Sequence, residues 1–124
     1  MTSSPSFKDM PIWQRAMQLV TEIYQLTAQL PATERLGISN SLQQSAVSIP
    51  TLIASGSRSG RNGFKDAIYQ ARQHAAALET LLLIVQQAYP SIPVDELLNE
   101  SADIQNGLTA MARRLSTAPA PKTV

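Results

Sequence analysis

The sequence predicts an all-α protein, an up-down-up-down antiparallel four-helix bundle. Three observations point there. Four segments each carry apolar residues at alternating spacings of three and four, which line one side of a helix. No stretch alternates with period two for long enough to make a sheet. The links between segments are short and rich in Pro, Gly and Ser, so neighbouring helices run antiparallel.

The first helix is expected over about 10–30, with Ile12, Ala16, Leu19, Ile23, Leu26 and Leu30 on its seam and Pro31 as its stop. The second, about 36–55, carries Ile38, Leu42, Ser45, Ile49 and Leu52, and follows a link containing Gly37. Pro50 lies inside this pattern, where it removes a backbone hydrogen bond and costs roughly 3 kcal/mol in an unsupported helix. The segment Ser48–Gly56 therefore reads as a kinked helix ending held by packing, with Gly56 as a left-handed stop.

The run Ser57–Gly63 reads as a loop whose small residues cap the third helix. That helix, about 61–89, carries Phe64, Ile68, Ala71, Ala75, Leu78, Leu82, Val85 and Tyr89, and Pro90 stops it. The fourth, about 93–115, carries Val94, Leu97, Ser101, Ile104, Leu108, Met111 and Leu115, with Pro93 in its first turn. Asp95 and Glu96 suit its positive end, and Arg113 and Arg114 its negative end. Residues 7–115 make the bundle domain, and 1–6 and 116–124 are expected to be disordered tails.

Composition narrows the function. A chain of 124 residues suits one domain. There is no cysteine, which excludes disulfides, thiolate zinc sites and iron–sulfur clusters. Neither an apolar leader core nor a membrane-length apolar run is present, and a cytoplasmic location is expected. Ten basic residues face nine acidic ones, so no global charge signature of nucleic-acid binding exists. Only 15% of residues are charged, low against the usual quarter, as when part of a surface is hidden in an assembly.

The apolar stripes point the same way. Trp13, Met17, Val20, Tyr24 and Thr27 form a second seam on the first helix, and Leu81–Val85 is apolar all the way round. Trp13, Met17, Tyr24, Leu52, Leu81, Leu83 and Ile84 are therefore the candidate interface residues for a homo-oligomer. Plain core packing is the competing account of the aromatic pair and of the central run.

The chain resembles the bacterial four-helix-bundle family of proteins encoded in intervening sequences of 23S rRNA genes. That family also includes the accessory variability protein of diversity-generating retroelements. The residues carrying the resemblance run from Phe7 to about Leu115: Ile12–Ala16, Ile23–Thr27, Leu30 and Pro31 with Glu34 and Gly37, then Ala46–Pro50, Ile53, Ala54 and Gly56, and finally Phe64, Ala71, Leu78 and Glu79. The resemblance implies a ring-like homo-oligomer, commonly a pentamer, and no enzyme activity. For the retroelement members it implies binding to nucleic acid or reverse transcriptase. The chain departs from the family at Gln43 and Gln44, where basic residues are usual, at Leu52 and Ser55, usually Asn and Glu, and at Gln73, His74 and Ala77.

No catalytic set emerges. His74, the lone histidine, lacks the partners of a metal or acid–base site. No Glu-x-x-His pair or Gly-rich phosphate loop occurs, and Ser48 and Ser55 have no base in sequence reach. Glu34 suits the start of the second helix, and Glu79 suits a bond across helices. No cofactor, metal or small-molecule substrate is expected. Arg58, Arg61, Lys65 and Arg72 are the one concentrated basic feature, with the last three within about 40° on a helix. They form a candidate nucleic-acid stripe, set against the plainer account of a solvated helix face. The sequence thus predicts a non-enzymatic assembly or interaction scaffold, with nucleic-acid or ribonucleoprotein binding as the alternative.

Overall fold

The computed structural model describes residues 6–117, so most of the two predicted tails lies outside the described residues. Those residues form four α-helices and no strand: α1 Pro11–Thr27, α2 Ile38–Gly56, α3 Gly60–Ala88 and α4 Asp95–Thr117. α1 packs on α2 and α4, and α3 packs on the same two, while α1 and α3 stand diagonally without backbone contact. The result is an antiparallel four-helix bundle. α4 runs two residues past its predicted end.

Pro11 sits in the first turn of α1, where a missing N–H costs nothing. A short 3-10 turn over Phe7–Asp9 leads in, and the Ser6 hydroxyl accepts from the Lys8 amide at 3.2 Å. The helix stops at Thr27, earlier than predicted, and the chain turns so that buried Leu30 plugs the end of the core.

α2 passes through Pro50 and ends at Gly56. Around the proline, Ser48 donates to the Gln44 carbonyl at 2.8 Å and Thr51 to the Val47 carbonyl at 2.7 Å. Burial of the Pro50 ring in the packed bundle holds a helix that proline alone would break.

Gly56 corrects the sequence reading. It is helical and not left-handed; the only positive φ among the described residues is 74°, at Gly60. Glycine is needed at 56 because a Cβ would lie 2.4 Å from the Ala67 Cβ, so α2 and α3 approach backbone to backbone there. The predicted loop also shrinks to 57–59, since α3 already begins at Gly60. Ser59 does not cap α3 with its side chain; its hydroxyl donates to the Ser55 carbonyl instead. Pro93 precedes α4 rather than entering its first turn.

The core holds the predicted seams of α1 and α3 almost intact. In α2 the inward face turns on Ala46 and Ile53, while Ser45 and Leu52 sit half-buried on its flank. Ala112 joins Ser101, Ile104 and Leu108 as the buried line of α4. Ser101 is fully buried, and its hydroxyl donates to the Ala75 carbonyl at 3.1 Å. Among the described residues no helix is long and apolar enough to cross a membrane.

Candidate functional site

The predicted interface residues divide in two. Met17 is 42% exposed, Tyr24 49%, Leu83 43% and Ile84 44%, well beyond what core side chains show. Trp13, Leu52 and Leu81 are half-buried and pack against the core, Trp13 also meeting the Phe7 ring edge-on at 5.3 Å. Because α1 and α3 are diagonal, Met17 and Tyr24 lie on one face of the bundle and Leu83 and Ile84 on another.

Sequence reasoning missed Val47 and Tyr69, which are exposed, and Leu36, almost wholly so. Val47 extends the α1 surface: an apolar groove of about 480 Å3 runs between α1 and α2, lined by Trp13, Met17, Val20, Val47 and Pro50 among others. Its signal in the sequence is that Val47 falls one position after a core residue, Ala46, and so faces outward.

Charge is partitioned between the helices. α2 contains no charged residue, and none occurs from Leu36 to Ser57. On α3 every exposed residue from Tyr69 to Ala88 is uncharged. Arg72 and Glu79, the charged pair in that span, are half-buried and bonded to α4, through Thr109 at 3.3 Å and Gln105 at 2.9 Å. On α1, Arg15 pairs with Glu100 at 3.0 Å and Asp103 at 3.4 Å, both on α4. The α1–α4 side thus carries charge along its length, while the α2–α3 side is neutral over α2 and over α3 from Tyr69 to Ala88, apart from the half-buried Arg72 and Glu79.

The basic stripe is not a uniform open row. Arg61 Nε donates to the Leu115 carbonyl at 3.1 Å, satisfying the C-terminal end of α4. Arg72 lies over the Tyr69 ring at 5.0 Å while donating to Thr109. Lys65 is half-buried between them. Arg58 belongs to a different surface, stacked over Phe7 at 5.3 Å. What the fold adds is Lys8, Arg113 and Arg114: the start of α1, the end of α2, the start of α3 and the end of α4 meet at one end of the bundle, and Asp9 and Asp66 are the acids there.

His74 is half-buried on α3. Among the described residues no group of three or more His, Cys, Asp or Glu side chains could hold a metal ion. Glu34 and Glu79 are each bound to a neighbour: Glu34 accepts from the Tyr89 hydroxyl at 2.6 Å, and Glu79 from Gln105. Tyr89 in consequence holds its proton to higher pH than an ordinary tyrosine, first through that hydrogen bond, then through desolvation and the charge of Glu34.

No curated protein sequence matches the chain. The sequence pattern that defines the 23S rRNA-intervening sequence proteins matches residues 8–110, which span all four helices. The chain therefore belongs to the 23S rRNA-intervening sequence protein family.

Proposed function

We propose that this chain is a non-enzymatic subunit that builds a ring-like homo-oligomer, with five copies as the expected number, and serves as an assembly scaffold. The observation that carries this reading is the neutral half of the surface. A helix face turned to water normally displays charge, yet α2 has none and the exposed side of α3 has none from Tyr69 to Ala88. Removing such a face from water carries no cost of desolvating ions; its exposed Leu83 and Ile84 gain from burial, as do Met17 and Tyr24 on the α1 face. The two apolar patches lie on different faces, so one copy's patch meets the other kind on the next copy, and repetition of such a contact closes a ring. Light scattering coupled to gel filtration tests it: a mass several times 13.4 kDa is expected, and a monomer at micromolar concentration overturns it.

A second reading, binding of nucleic acid, is favoured by the convergence of Lys8, Arg58, Arg61, Lys65, Arg113 and Arg114 on one end of the bundle. A ring would repeat that cluster on one rim, and polyanion affinity grows with the number of phosphates neutralised. Retention on immobilised heparin or RNA that falls steeply with salt supports it, and no retention at low salt overturns it.

A further inference from the structure

We propose that copies of this protein dock end on end, the acidic end of one bundle on the basic end of the next. The chain as a whole has a net charge of only +1, yet its charges are sorted along the bundle. At the end where α1 and α3 begin and α2 and α4 finish, Lys8, Arg58, Arg61, Lys65, Arg113 and Arg114 outnumber Asp9 and Asp66. At the opposite end Glu22, Glu34, Asp95 and Glu96 stand against one cation, Arg35, among the described residues.

Folding does not neutralise either end. Both ion pairs among the described residues belong to Arg15, with Glu100 and Asp103 on the flank of α1 and α4. At the basic end Arg61 is bound to a carbonyl and Arg58 to the Phe7 ring, neither of which carries an opposing charge. At the acidic end Glu34 accepts from Tyr89, and Asp95 accepts from Gln86 at 3.3 Å, again from neutral donors. Each end therefore keeps its charge for a partner outside the chain.

The two ends also match in shape of contact. A groove of about 480 Å3 opens between the end of α1 and the start of α4, lined by Glu22, Asp95 and Glu96 with no basic residue on its wall. Arg113 and Arg114 are exposed at the far end of the same chain. A guanidinium presents a planar fork of donors that fits a carboxylate. This groove is the seat for Arg113 and Arg114 of the next copy. The same contact covers Leu36, which is 91% exposed in the turn at the acidic end.

The charges select the partner and its direction. Two acidic ends repel each other, as do two basic ends, so a second copy docks head to tail. Such a contact is heterologous and does not close on itself, so it builds an open stack. It leaves the sides of the bundle free and so holds for a single bundle or for a ring. In a ring it recurs on every subunit around the rim, which strengthens it without any new kind of contact.

Sedimentation velocity of the full chain at about 10 mM and about 1 M salt separates end contacts from side contacts. Charges act across about 30 Å at the first and about 3 Å at the second. At low salt the mass should be at least about twice its high-salt value and should climb further with protein concentration. A monomer at high salt with the same low-salt climb would remove the ring and keep the stack. Asp95→Lys with Glu96→Lys, and separately Arg113→Glu with Arg114→Glu, should each abolish the climb. An equimolar mixture of the two variants should recover it, because the exchanged charges meet again across the contact. Circular dichroism checks that each variant keeps its helices. No climb in wild type, a climb that persists in both variants, no recovery in the mixture, or a mass that stops at twice the high-salt value overturns the proposal.

Discussion

Tyr89 donates its phenolic hydrogen to Glu34 across 2.6 Å, and this bond ties the end of α3 to the turn between α1 and α2. Two links that are remote in sequence thus close over the same end of the core. The neutral phenol is the form that the bond favours, so the pKa of Tyr89 is raised in the folded protein. Its contribution to stability is complete below the ordinary tyrosine pKa of about 10, and is lost as pH rises through the raised value. Wild type should therefore lose melting temperature faster than Tyr89→Phe above about pH 10. The phenol's ultraviolet titration, taken as wild type minus Tyr89→Phe, should move to lower pH in Glu34→Gln. A Glu34→Gln titration identical to wild type counts against the bond.

Gly56 and Gly60 are both required, for different reasons. At Gly56 a Cβ meets the Ala67 Cβ at 2.4 Å, a clash between helices. At Gly60 nothing lies within 4 Å of a Cβ, and the constraint is the φ of 74°. Gly56→Ala should cost about 1–3 kcal/mol as α2 and α3 are pushed apart. Gly60→Ala should cost about 1–2 kcal/mol. The discriminating variant is asparagine, which tolerates the left-handed region. Gly60→Asn should recover part of the loss in urea denaturation, whereas Gly56→Asn should be worse than Gly56→Ala.

Those two glycines show where the sequence was readable. Periodicity located the helices and nearly all of the α1 and α3 seams, because a core side chain must recur with the turn of the helix. It failed in α2, where Ser45, Ala46, Leu52 and Ile53 offer two adjacent lines of similar polarity, and only contact with α3 selects Ala46 and Ile53. Gly56 looked like a stop because local rules know of backbone conformation and not of the Ala67 methyl. Helical spacing set Arg61, Lys65 and Arg72 side by side, but the partners of Arg61 and Arg72, the Leu115 carbonyl and Thr109, lie on α4 and have no local signature, and Arg58 turns to Phe7 instead.

Ser101 tests a buried polar contact between helices. It is fully buried, and its hydroxyl donates to the Ala75 carbonyl at 3.1 Å. Ser101→Ala removes the donor with little change of shape, leaving an acceptor already within a helix, so the cost should be about 0.5–1.5 kcal/mol. Ser101→Leu forces a larger side chain against Ala75 and should cost more, about 1–3 kcal/mol. Chemical denaturation measures both, and Ser101→Leu matching wild-type stability would sink the description of this layer as closely packed.

Arg72 has two partners in the fold, the Tyr69 ring and Thr109, whereas Arg113 and Arg114 stand exposed at the end of α4. Arg72→Ala should lower stability by about 0.5–1.5 kcal/mol through the lost contacts. Arg113→Ala with Arg114→Ala should change stability by no more than about 0.5 kcal/mol. If the basic end binds nucleic acid, the double variant should also weaken binding and flatten its dependence on salt. A salt slope unchanged in that variant places any binding elsewhere.

Leu83 and Ile84 offer the test of the proposed assembly. They flank the buried Leu82 and Val85 on the same turns of α3, so adjacent substitutions separate packing within the bundle from contact between copies. Leu83→Glu with Ile84→Glu places two carboxylates on an exposed, charge-free face. The cost to the isolated bundle should be small, within about 0.5 kcal/mol per site. In an assembled ring the same carboxylates lose their water and repel each other across every repeat of the contact. The expected result is a monomer by light scattering that keeps its helical circular dichroism and its cooperative melt. Leu82→Glu should instead unfold the chain, because that side chain is fully buried. Met17→Glu, on the diagonal face, should dissociate the ring equally well if the contact is between unlike patches, since each copy offers both. A Leu83→Glu/Ile84→Glu protein with the wild-type mass would remove α3 from the interface. Dissociation by Leu83→Glu/Ile84→Glu and not by Met17→Glu would replace the ring with a two-fold pair through α3 alone.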